Sequence, residues 1–525
     1  MTTSSFSLPN WFSPALVAGM RRGLEKEGLR VQKNGVAAQT PHPHALGSKL
    51  THPYITTDYS ENLLELITEP FDSIDGALAM LRHLHIVVHQ ALDNELMWAL
   101  SMPSALSDDD KDIPLANYGS SNIGQLKTLY RSGLGVRYGR KMQTIAGLHY
   151  NLSIGDDLFG AWQHAIGDTR SFSDFKNASY LALIRNFKRL TPMVLYLIGA
   201  SPSVSACFVK GRPHDLQPLN VDDGSCGHTL YKPFATSLRM GKLGYTNSVQ
   251  DSLDIRYNDL NEYIKGLRAA IQTPFAPFSA IGVDDEHGTP IQINDHILQI
   301  ENEYYSPIRP KQVTKSGETP THALEERGIA YVEFRAIDLN PYSDIGIDKT
   351  TACFLEILAL YCLFSDSPAL LPEEERLIAS NIDTIVNHGR QTGVTLTDTN
   401  GTSYEFNTWL LSQLHAMYPL AQAFDAHYGN GDYHQALTTM IARAQDSALT
   451  PSARLIDDSI TLGSTLAAGL ALSQKHQDSL LHLSLSQEAR VHYEHLATQS
   501  WAEQTKLEQS DTQPFYDYIQ AYRHF

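Results

Sequence analysis

The sequence predicts an α+β fold in which short strands are distributed among helices. Segments with apolar residues at helical spacing are separated by short segments in which apolar and polar residues alternate. These segments do not follow the regular βαβ order of a doubly wound parallel sheet. The part from about residue 365 to 525 has almost only helical patterns. We expect a single domain over residues 1–525, because no internal repeat or low-complexity linker marks a boundary.

The individual helices and strands follow from these periodicities. In the first long helix, Leu78, Leu81, Leu84, Val88 and Leu92 recur every three or four positions. The predicted helices are 72–100, 173–198, 252–271, 348–364 and most of 455–509. The predicted strands are 23–31, 54–57, 63–68, 144–153, 292–303 and 330–337.

Composition limits the class of protein. Hydrophobic residues make up 42% and charged residues 19% of the chain, which is typical of a soluble globular protein. The net charge is −18, and an acidic surface repels phosphate backbones, so we expect no nucleic-acid partner. A nucleotide remains compatible with this charge, because a bound divalent cation inverts the local sign.

Cysteine usage and hydropathy indicate a cytoplasmic protein without a membrane span. The four cysteines lie far apart with no CxxC pair, which is a reduced, cytosolic pattern. The first twenty residues contain no Lys or Arg and no continuous apolar stretch, so we expect no signal peptide. Residues 191–209 are uncharged, but Gly199 and Pro202 interrupt them. That run predicts a buried helix ending in a loop.

Acidic residues inside strand-like segments are the main candidates for chemistry. In GLEKEGLRV, Glu25 and Glu27 are two positions apart, so a strand presents both carboxylates on one face. In AYVEFRAIDL, Glu333 and Arg335 share a face for the same reason. The full set of candidate metal ligands is Glu25, Glu27, Asp58, Glu65, His149 and Glu333.

Two interpretations of this set remain open. Each segment taken alone is more typical of a solvent-exposed strand face, and His149 alone is more typical of a hydrogen-bonded core histidine. The coincidence of four such segments favours a shared cleft, in which divalent cations would offset the cost of gathering like charges. Several carboxylates with one imidazole suit Mg²⁺ or Mn²⁺ better than Zn²⁺.

Arginines and tyrosines form a second group of candidates. Arg239 and Arg309 flank turn-forming stretches, and arginine binds a carboxylate through two hydrogen bonds. Tyrosines are candidates for the walls of a pocket for a small polar ligand: Tyr59, Tyr130, Tyr245 and Tyr305. The chain has no GxxxxGK[ST], HExxH or GxSxG motif, so a nucleotide would be held by metals and scattered side chains.

Ordered motifs spread along the chain resemble the glutamate–cysteine ligases of the long bacterial class. The stretches that carry the resemblance include RRGLEKEGLRV, HALGSKLTHPYITTDYSENLLELIT, ANYGSSNIGQLKTLYRSGL, RYGRKMQTIAGLHYN, LQIENEYYSPIRPK and YVEFRAIDLNPYSDIGID. Weaker matches continue toward residue 525. The resemblance implies a glutamine-synthetase-like fold, with a curved, mainly antiparallel sheet forming a funnel surrounded by helices.

The resemblance also implies an activity. Enzymes of this family join the γ-carboxylate of glutamate to the amine of cysteine with ATP, through a γ-glutamyl phosphate, in the first step of glutathione synthesis. A related ligase that uses another amine acceptor is the alternative. Phosphoryl transfer without ligation and a non-catalytic nucleotide-binding module are two further classes. The resemblance implies a monomer inhibited by glutathione.

Site residues carried over from the resemblance match the candidates above. The six candidate ligands correspond to metal positions, and Arg335 corresponds to a position beside the ATP phosphates. Arg335 and Arg239 are the predicted catalytic residues. The predicted cysteine pocket consists of Tyr59, Tyr130, Leu134, Gln143, Arg239, Tyr245 and Tyr305, and Ile145 lies beside the glutamate part. The family has Phe where this chain has Tyr59, which adds a hydroxyl group to that wall.

Overall fold

A computed structural model describes residues 6–220, 228–244, 249–250, 253–315 and 317–523. Its centre is a seven-stranded sheet in the order β2-β3-β1-β5-β10-β9, with β4 beside β1, and all these pairs are antiparallel. The strands are β1 Arg21–Gln32, β2 Ile55–Thr57, β3 Leu63–Ile67, β4 Glu95–Met97, β5 Leu148–Ser153, β6 Ser203–Ser205, β7 Gln217–Pro218, β8 Thr229–Tyr231, β9 Ile308–Lys311, β10 Tyr331–Ile337, β11 Thr395–Thr397 and β12 Ser403–Glu405.

Helices account for most of the remaining chain. Two of them, α4 and α9, pack against each other, and α4 also packs on β9 and β10. The helices are α1 Ile74–Ala91, α2 Asn122–Tyr138, α3 Asp156–Ile166, α4 Phe172–Ile198, α5 Ala206–Val209, α6 Leu260–Gln272, α7 Ala276–Ile281, α8 Pro320–Arg327, α9 Lys349–Phe364, α10 Pro372–His388, α11 Phe406–Ala416, α12 Tyr418–Tyr428, α13 Asp432–Gln445, α14 Pro451–Leu462, α15 Thr465–Leu481, α16 Gln487–Ser510 and α17 Phe515–Arg523.

The two faces of the central sheet differ because successive side chains of a strand point to opposite sides. On the helix-covered face, Phe334 of β10 packs against Phe187 of α4, with ring centroids 4.7 Å apart. Burying an aromatic or aliphatic side chain there stabilises the fold by roughly 1.5–3 kcal/mol. On the same face, Arg22 forms a fully buried ion pair with Glu356 at 2.7 Å. The opposite face carries the alternate, polar positions.

The structure departs from the predicted elements in several places; the helix predicted over 252–271 begins only at Leu260, and the strand predicted over 144–153 begins only at Leu148. The first long helix, predicted over 72–100, ends at Ala91 and is followed by strand β4, Glu95–Met97. The strand predicted over 292–303 does not form, because side chains there take the backbone hydrogen bonds. The Gln299 side-chain oxygen accepts from the Ile293 amide at 3.0 Å, and the Asn294 side chain donates to the Gln299 carbonyl at 3.1 Å.

Two further expectations concern membranes and cysteines. Within the described ranges, no single helix is long and apolar enough to cross a bilayer, although Pro451–Leu462 and Thr465–Leu481 pass such a test as a pair bent by 104°. Cys353 and Cys362 are free and buried. Cys207 is disulfide-bonded, so the prediction of a fully reduced set is wrong at this residue. Disulfide pairing depends on Cα distances in the fold, which spacing along the chain does not reveal.

Candidate active site

A cavity of about 340 Å³ opens on the polar face of the central sheet. It combines carboxylates, arginines and aromatic side chains contributed by strands, by helix α2 and by loops. Eleven of the residues predicted from the sequence line it: Glu27, Asp58, Tyr59, Tyr130, Leu134, Gln143, His149, Arg239, Tyr305, Arg309 and Arg335. Segments that lie more than three hundred residues apart in the sequence therefore converge on one cleft.

Strand register brings the predicted metal ligands together. Glu25 of β1 lies opposite His149 of β5, and Glu27 lies opposite Glu65 of β3. His149 Nδ1 is 3.1 Å from a Glu25 oxygen and 3.8 Å from a Glu333 oxygen. One ligand atom each from Glu25, His149 and Glu333 lie within 4.8 Å of one another. This spacing and donor set fit a divalent cation bound by oxygen and one imidazole nitrogen.

Burial and neighbouring negative charges oppose ionisation of the carboxylates on β1 and β3. Burial, followed by the charge of Asp58, raises the pKa of Glu27 to about 8. Burial, followed by the charges of Glu25 and Asp58, raises the pKa of Glu65 well above its ordinary value. Burial is the larger cause of both shifts and the neighbouring carboxylates add to it, so a cation bound here would favour the ionised forms. The chemistry of the donor set therefore fits added positive charge.

At the β10 end of the cleft, positive side chains offset the negative ones. Burial opposes ionisation of Glu333, but Lys311 and Arg335 hold its pKa well below the ordinary value. Lys311 Nζ lies 3.2 Å and Arg335 Nη1 lies 3.0 Å from Glu333 oxygens. Burial lowers the pKa of His149, which favours the neutral imidazole that binds metals. Burial also opposes ionisation of Glu25, but a hydrogen bond from His149 lowers its pKa.

Arg239 is held by a carboxylate that the sequence analysis missed. Its Nε lies 2.7 Å from an Asp338 oxygen, and both side chains are almost fully buried. Asp338 also accepts from the Ala200 amide at 2.7 Å and from the Ser237 hydroxyl at 3.0 Å. Arg239 Nη2 donates to the main-chain oxygen of Arg335 at 3.0 Å, which links the two predicted catalytic arginines. Asp338 lies three positions after Arg335, and only that proximity signalled it in the sequence.

Tyr59 lines the cavity, and its hydroxyl lies against helix α2. A methyl group added at Gly135 would come within 2.6 Å of this hydroxyl oxygen. Among the residues described, the buried hydroxyl has no hydrogen-bond partner. Burial raises the pKa of Tyr59 above its ordinary value, so the phenol stays neutral. The extra oxygen relative to Phe therefore packs against α2.

The remaining predicted residues occupy other positions. Ile145 is fully buried directly after a short 3₁₀ helix, Lys141–Thr144, that leads toward β5. Tyr245 lies outside the described residues.

Several cavity residues were not predicted from the sequence. Arg131 lines the cavity, donates to the main-chain oxygen of Asp58 and stacks on the Tyr118 ring at 4.5 Å. Tyr138 and Glu303 also line it, and the Tyr138 hydroxyl donates to Glu303 at 2.6 Å. Arg131 directly follows Tyr130 and Glu303 lies two positions before Tyr305, each within a quoted motif, but neither was singled out as a site residue.

Comparisons with known proteins agree on one family. The family model described as glutamate–cysteine ligase matches residues 9–385. The chain is 46% identical over 505 residues to the glutamate–cysteine ligase of Azotobacter vinelandii, covering 95% of this chain and 94% of that protein. It is 44% identical over 524 residues to the glutamate–cysteine ligase of Alcanivorax borkumensis, covering 99% of this chain and 98% of that protein.

Two solved structures share the fold. The glutamate–cysteine ligase of Francisella tularensis in complex with AMP matches with a TM-score of 0.89 and 34% identity, covering 96% of this chain and 98% of that one. A bifunctional glutathione synthetase from Pasteurella multocida matches with a TM-score of 0.69 and 22% identity, covering 92% of this chain and 56% of that one. The second likeness concerns the fold alone.

The antiparallel sheet, its acidic cleft and these relatives define the class of protein. It is a ligase with a glutamine-synthetase-like α+β fold, which confirms the predicted fold class. The chain belongs to the glutamate–cysteine ligase family, since the family model spans residues 9–385 and the relatives match along nearly the whole chain. The family resemblance drawn from the sequence motifs is thereby confirmed.

Proposed function

We propose that this protein joins the γ-carboxylate of L-glutamate to the amine of L-cysteine with ATP. The products are γ-glutamylcysteine, ADP and phosphate, and the reaction is the first step of glutathione biosynthesis. Membership of the glutamate–cysteine ligase family supports this activity over ligation to another amine. The single structural observation that carries it is the cluster of buried and half-buried carboxylates beside Arg239 and Arg335 at one cavity.

We propose that Mg²⁺, or Mn²⁺, is held by the predicted acidic cluster. Its members are Glu25, Glu27, Asp58, Glu65, His149 and Glu333. The raised pKa values of Glu27 and Glu65 support this assignment, because burial and the neighbouring carboxylates raise them and a bound cation would offset both effects. When bound, the cations supply Lewis-acid neutralisation of the ATP phosphates.

Activation of the carboxylate precedes amide formation. A γ-carboxylate oxygen of glutamate attacks the γ-phosphorus of ATP, and the bond from that phosphorus to the ADP oxygen breaks. The amine of cysteine then attacks the acyl carbon, phosphate leaves, and the nitrogen loses a proton. Arg335 is kept cationic by Glu333 and Glu27, which raise its pKa although burial opposes this. Its guanidinium neutralises charge on the transferred phosphoryl group.

The rest of the cavity binds the substrates and excludes water. Arg239, oriented by Asp338, binds a substrate carboxylate through charge-assisted hydrogen bonds. The pocket for the cysteine part is formed by Tyr59, Tyr130, Leu134, Gln143, Tyr245 and Tyr305, and Ile145 lies beside the glutamate part. Aromatic walls protect the acyl phosphate from hydrolysis, because they keep bulk water from its carbonyl carbon.

Assembly, location and regulation complete the proposal. We propose a single catalytic domain that acts as a monomer in the cytoplasm of a bacterium. The organisms of the relatives, which are bacteria, support this location. Glutathione contains the γ-glutamylcysteine unit, so it fits the same pocket and inhibits. Size-exclusion chromatography, cell fractionation and inhibition assays test these three points.

A coupled assay tests the activity. Phosphate release is measured with ATP and glutamate, with and without cysteine, and γ-glutamylcysteine is detected by mass. Cysteine-dependent release with stoichiometric dipeptide is expected, and a panel of other amines gives lower kcat/KM. Equal phosphate release without any amine, or higher kcat/KM with another amine, contradicts the proposal. Omitting glutamate is the control that separates ligation from simple phosphoryl transfer.

A further inference from the structure

Helix α17 supports the helix that carries part of the cavity wall. Leu126 and Leu129 of α2 form a small apolar cluster with Ile293 and Ile519, and Ile519 of α17 is fully buried. Tyr130, which lines the cavity, packs against this cluster. The cluster is separate from the main core beneath the central sheet. One wall of the cavity therefore has its own apolar support, completed by α17.

Arg523, the last residue of α17, donates hydrogen bonds to the segment that connects to this wall. Its Nε donates to the Ile293 carbonyl at 2.8 Å. Its Nη2 donates to the Val283 and Gln292 carbonyls at 3.2 and 3.1 Å and to the Asp284 carboxylate at 2.9 Å. A single side chain thus ties down both ends of the segment 283–293.

A continuous set of hydrogen bonds runs from that segment to the cavity. Arg137 Nε donates to the Gln292 side chain at 2.8 Å, and its Nη1 lies 3.2 Å from a Glu303 oxygen. The Gln299 side chain accepts from the Ile293 amide and donates to the Tyr130 carbonyl at 3.1 Å. Glu303 and Tyr130 both line the cavity. Arg523 is therefore connected to the pocket wall through buried, hydrogen-bonded groups.

We infer that α17 is a positioning element for the amine-substrate pocket, with Arg523 and Ile519 as its positioning residues. They touch no cavity surface, but they hold α2 and Glu303 in place. The carboxylate cluster stands mainly on strands β1, β3, β5 and β10, which rest on the main core. Loss of α17 contacts should therefore weaken cysteine binding and leave ATP binding unchanged. The inference rests on the proposed function, in which Tyr130 belongs to the cysteine pocket.

Steady-state kinetics of the full chain test the inference. Arg523→Gln and Ile519→Ala are each expected to raise KM for cysteine by about three- to tenfold while kcat and KM for ATP change by less than about twofold. Arg523→Lys should recover part of the loss. Tyr516→Ala, at a side chain of the same helix that is 52% exposed, is the matched control. Leu480→Ala, at a fully buried position of α15, controls for general destabilisation.

Hydrogen exchange of the ligand-free protein gives a readout that does not depend on activity. Amides of α2 should exchange faster in Arg523→Gln than in Tyr516→Ala or Leu480→Ala. Unchanged α2 exchange together with an unchanged KM for cysteine overturns the inference, as does an equal rise of KM in Leu480→Ala. If the wild-type protein forms no dipeptide, the proposed function fails, and α2 exchange alone decides whether α17 positions this wall.

Discussion

Glu27→Gln is expected to change activity and stability in opposite directions, and both changes can be measured. The substitution removes one charged ligand of the proposed metal cluster, so we expect loss of cysteine-dependent phosphate release. The Gln side-chain oxygen still accepts the hydrogen bond that the Gly147 amide donates to Glu27 at 2.6 Å, so we expect the fold to persist. Near-normal activity at millimolar Mg²⁺ would refute the metal assignment.

The expected stability effect has a sign and a pH window. Burial and Asp58 raise the pKa of Glu27 from its ordinary 4.5 to about 8. The folded protein therefore binds more protons than the unfolded chain between these values, and its stability falls as pH rises through them. At pH 7 Glu27 of the metal-free folded protein therefore keeps its proton, and this costs at most roughly 3 kcal/mol relative to the ionised carboxylate of the unfolded chain, from about 1.4 kcal/mol per pKa unit. Glu27→Gln lacks this cost.

Urea denaturation in EDTA at pH 5, 6, 7 and 8 measures this difference. The free energy of unfolding of Glu27→Gln should match the wild type near pH 5 and exceed it increasingly toward pH 8. Adding Mg²⁺ should stabilise the wild type more than the variant, because a cation that binds only the folded state raises its stability. Glu326→Gln, at an exposed carboxylate of α8, is the control. A variant less stable than the wild type at pH 8 in EDTA would contradict the reasoning.

Three further predictions follow from buried contacts. Asp338→Asn should lower kcat/KM by at least about tenfold, because Arg239 loses its ion-pair partner at 2.7 Å. Steady-state kinetics and thermal denaturation check this, and an unchanged kcat/KM would contradict it. Gly135→Ala should destabilise the protein and raise KM for cysteine, since the added carbon lies 2.6 Å from the Tyr59 hydroxyl. In a double-mutant cycle, adding Tyr59→Phe should restore most of the lost stability and of the rise in KM. Additive effects of the two substitutions would disprove the contact. Burial lowers the pKa of His89 to about 4, so the contribution of the neutral imidazole to stability is complete above pH 6.5 and declines as pH falls toward 4. In denaturant titrations, the free energy of unfolding of His89→Gln should therefore fall less steeply between pH 6.5 and 4 than that of the wild type. An equal dependence on pH would rule this out.

Much of the central sheet was predictable because strand periodicity is local. The alternation of Tyr331, Glu333 and Arg335 with apolar residues predicted one charged face, and β10 has that face on the cavity side. The segment 292–303 shows where local reasoning fails. Its apolar residues suggested a buried strand, but the side chains of Asn294 and Gln299 satisfy the backbone groups that a strand partner would otherwise bind.

The sequence by itself determined the family, the fold class and the residue types that the cleft needs, because motifs and side-chain alternation are local properties of the chain. Only the tertiary structure decided which of these residues meet. Pairing of Glu25 with His149 and of Glu27 with Glu65 depends on strand register, which contacts between distant segments set. The roles of Asp338, which holds Arg239, and of Arg523, which supports the pocket wall, could not be predicted for the same reason. Their partners lie far away in the sequence.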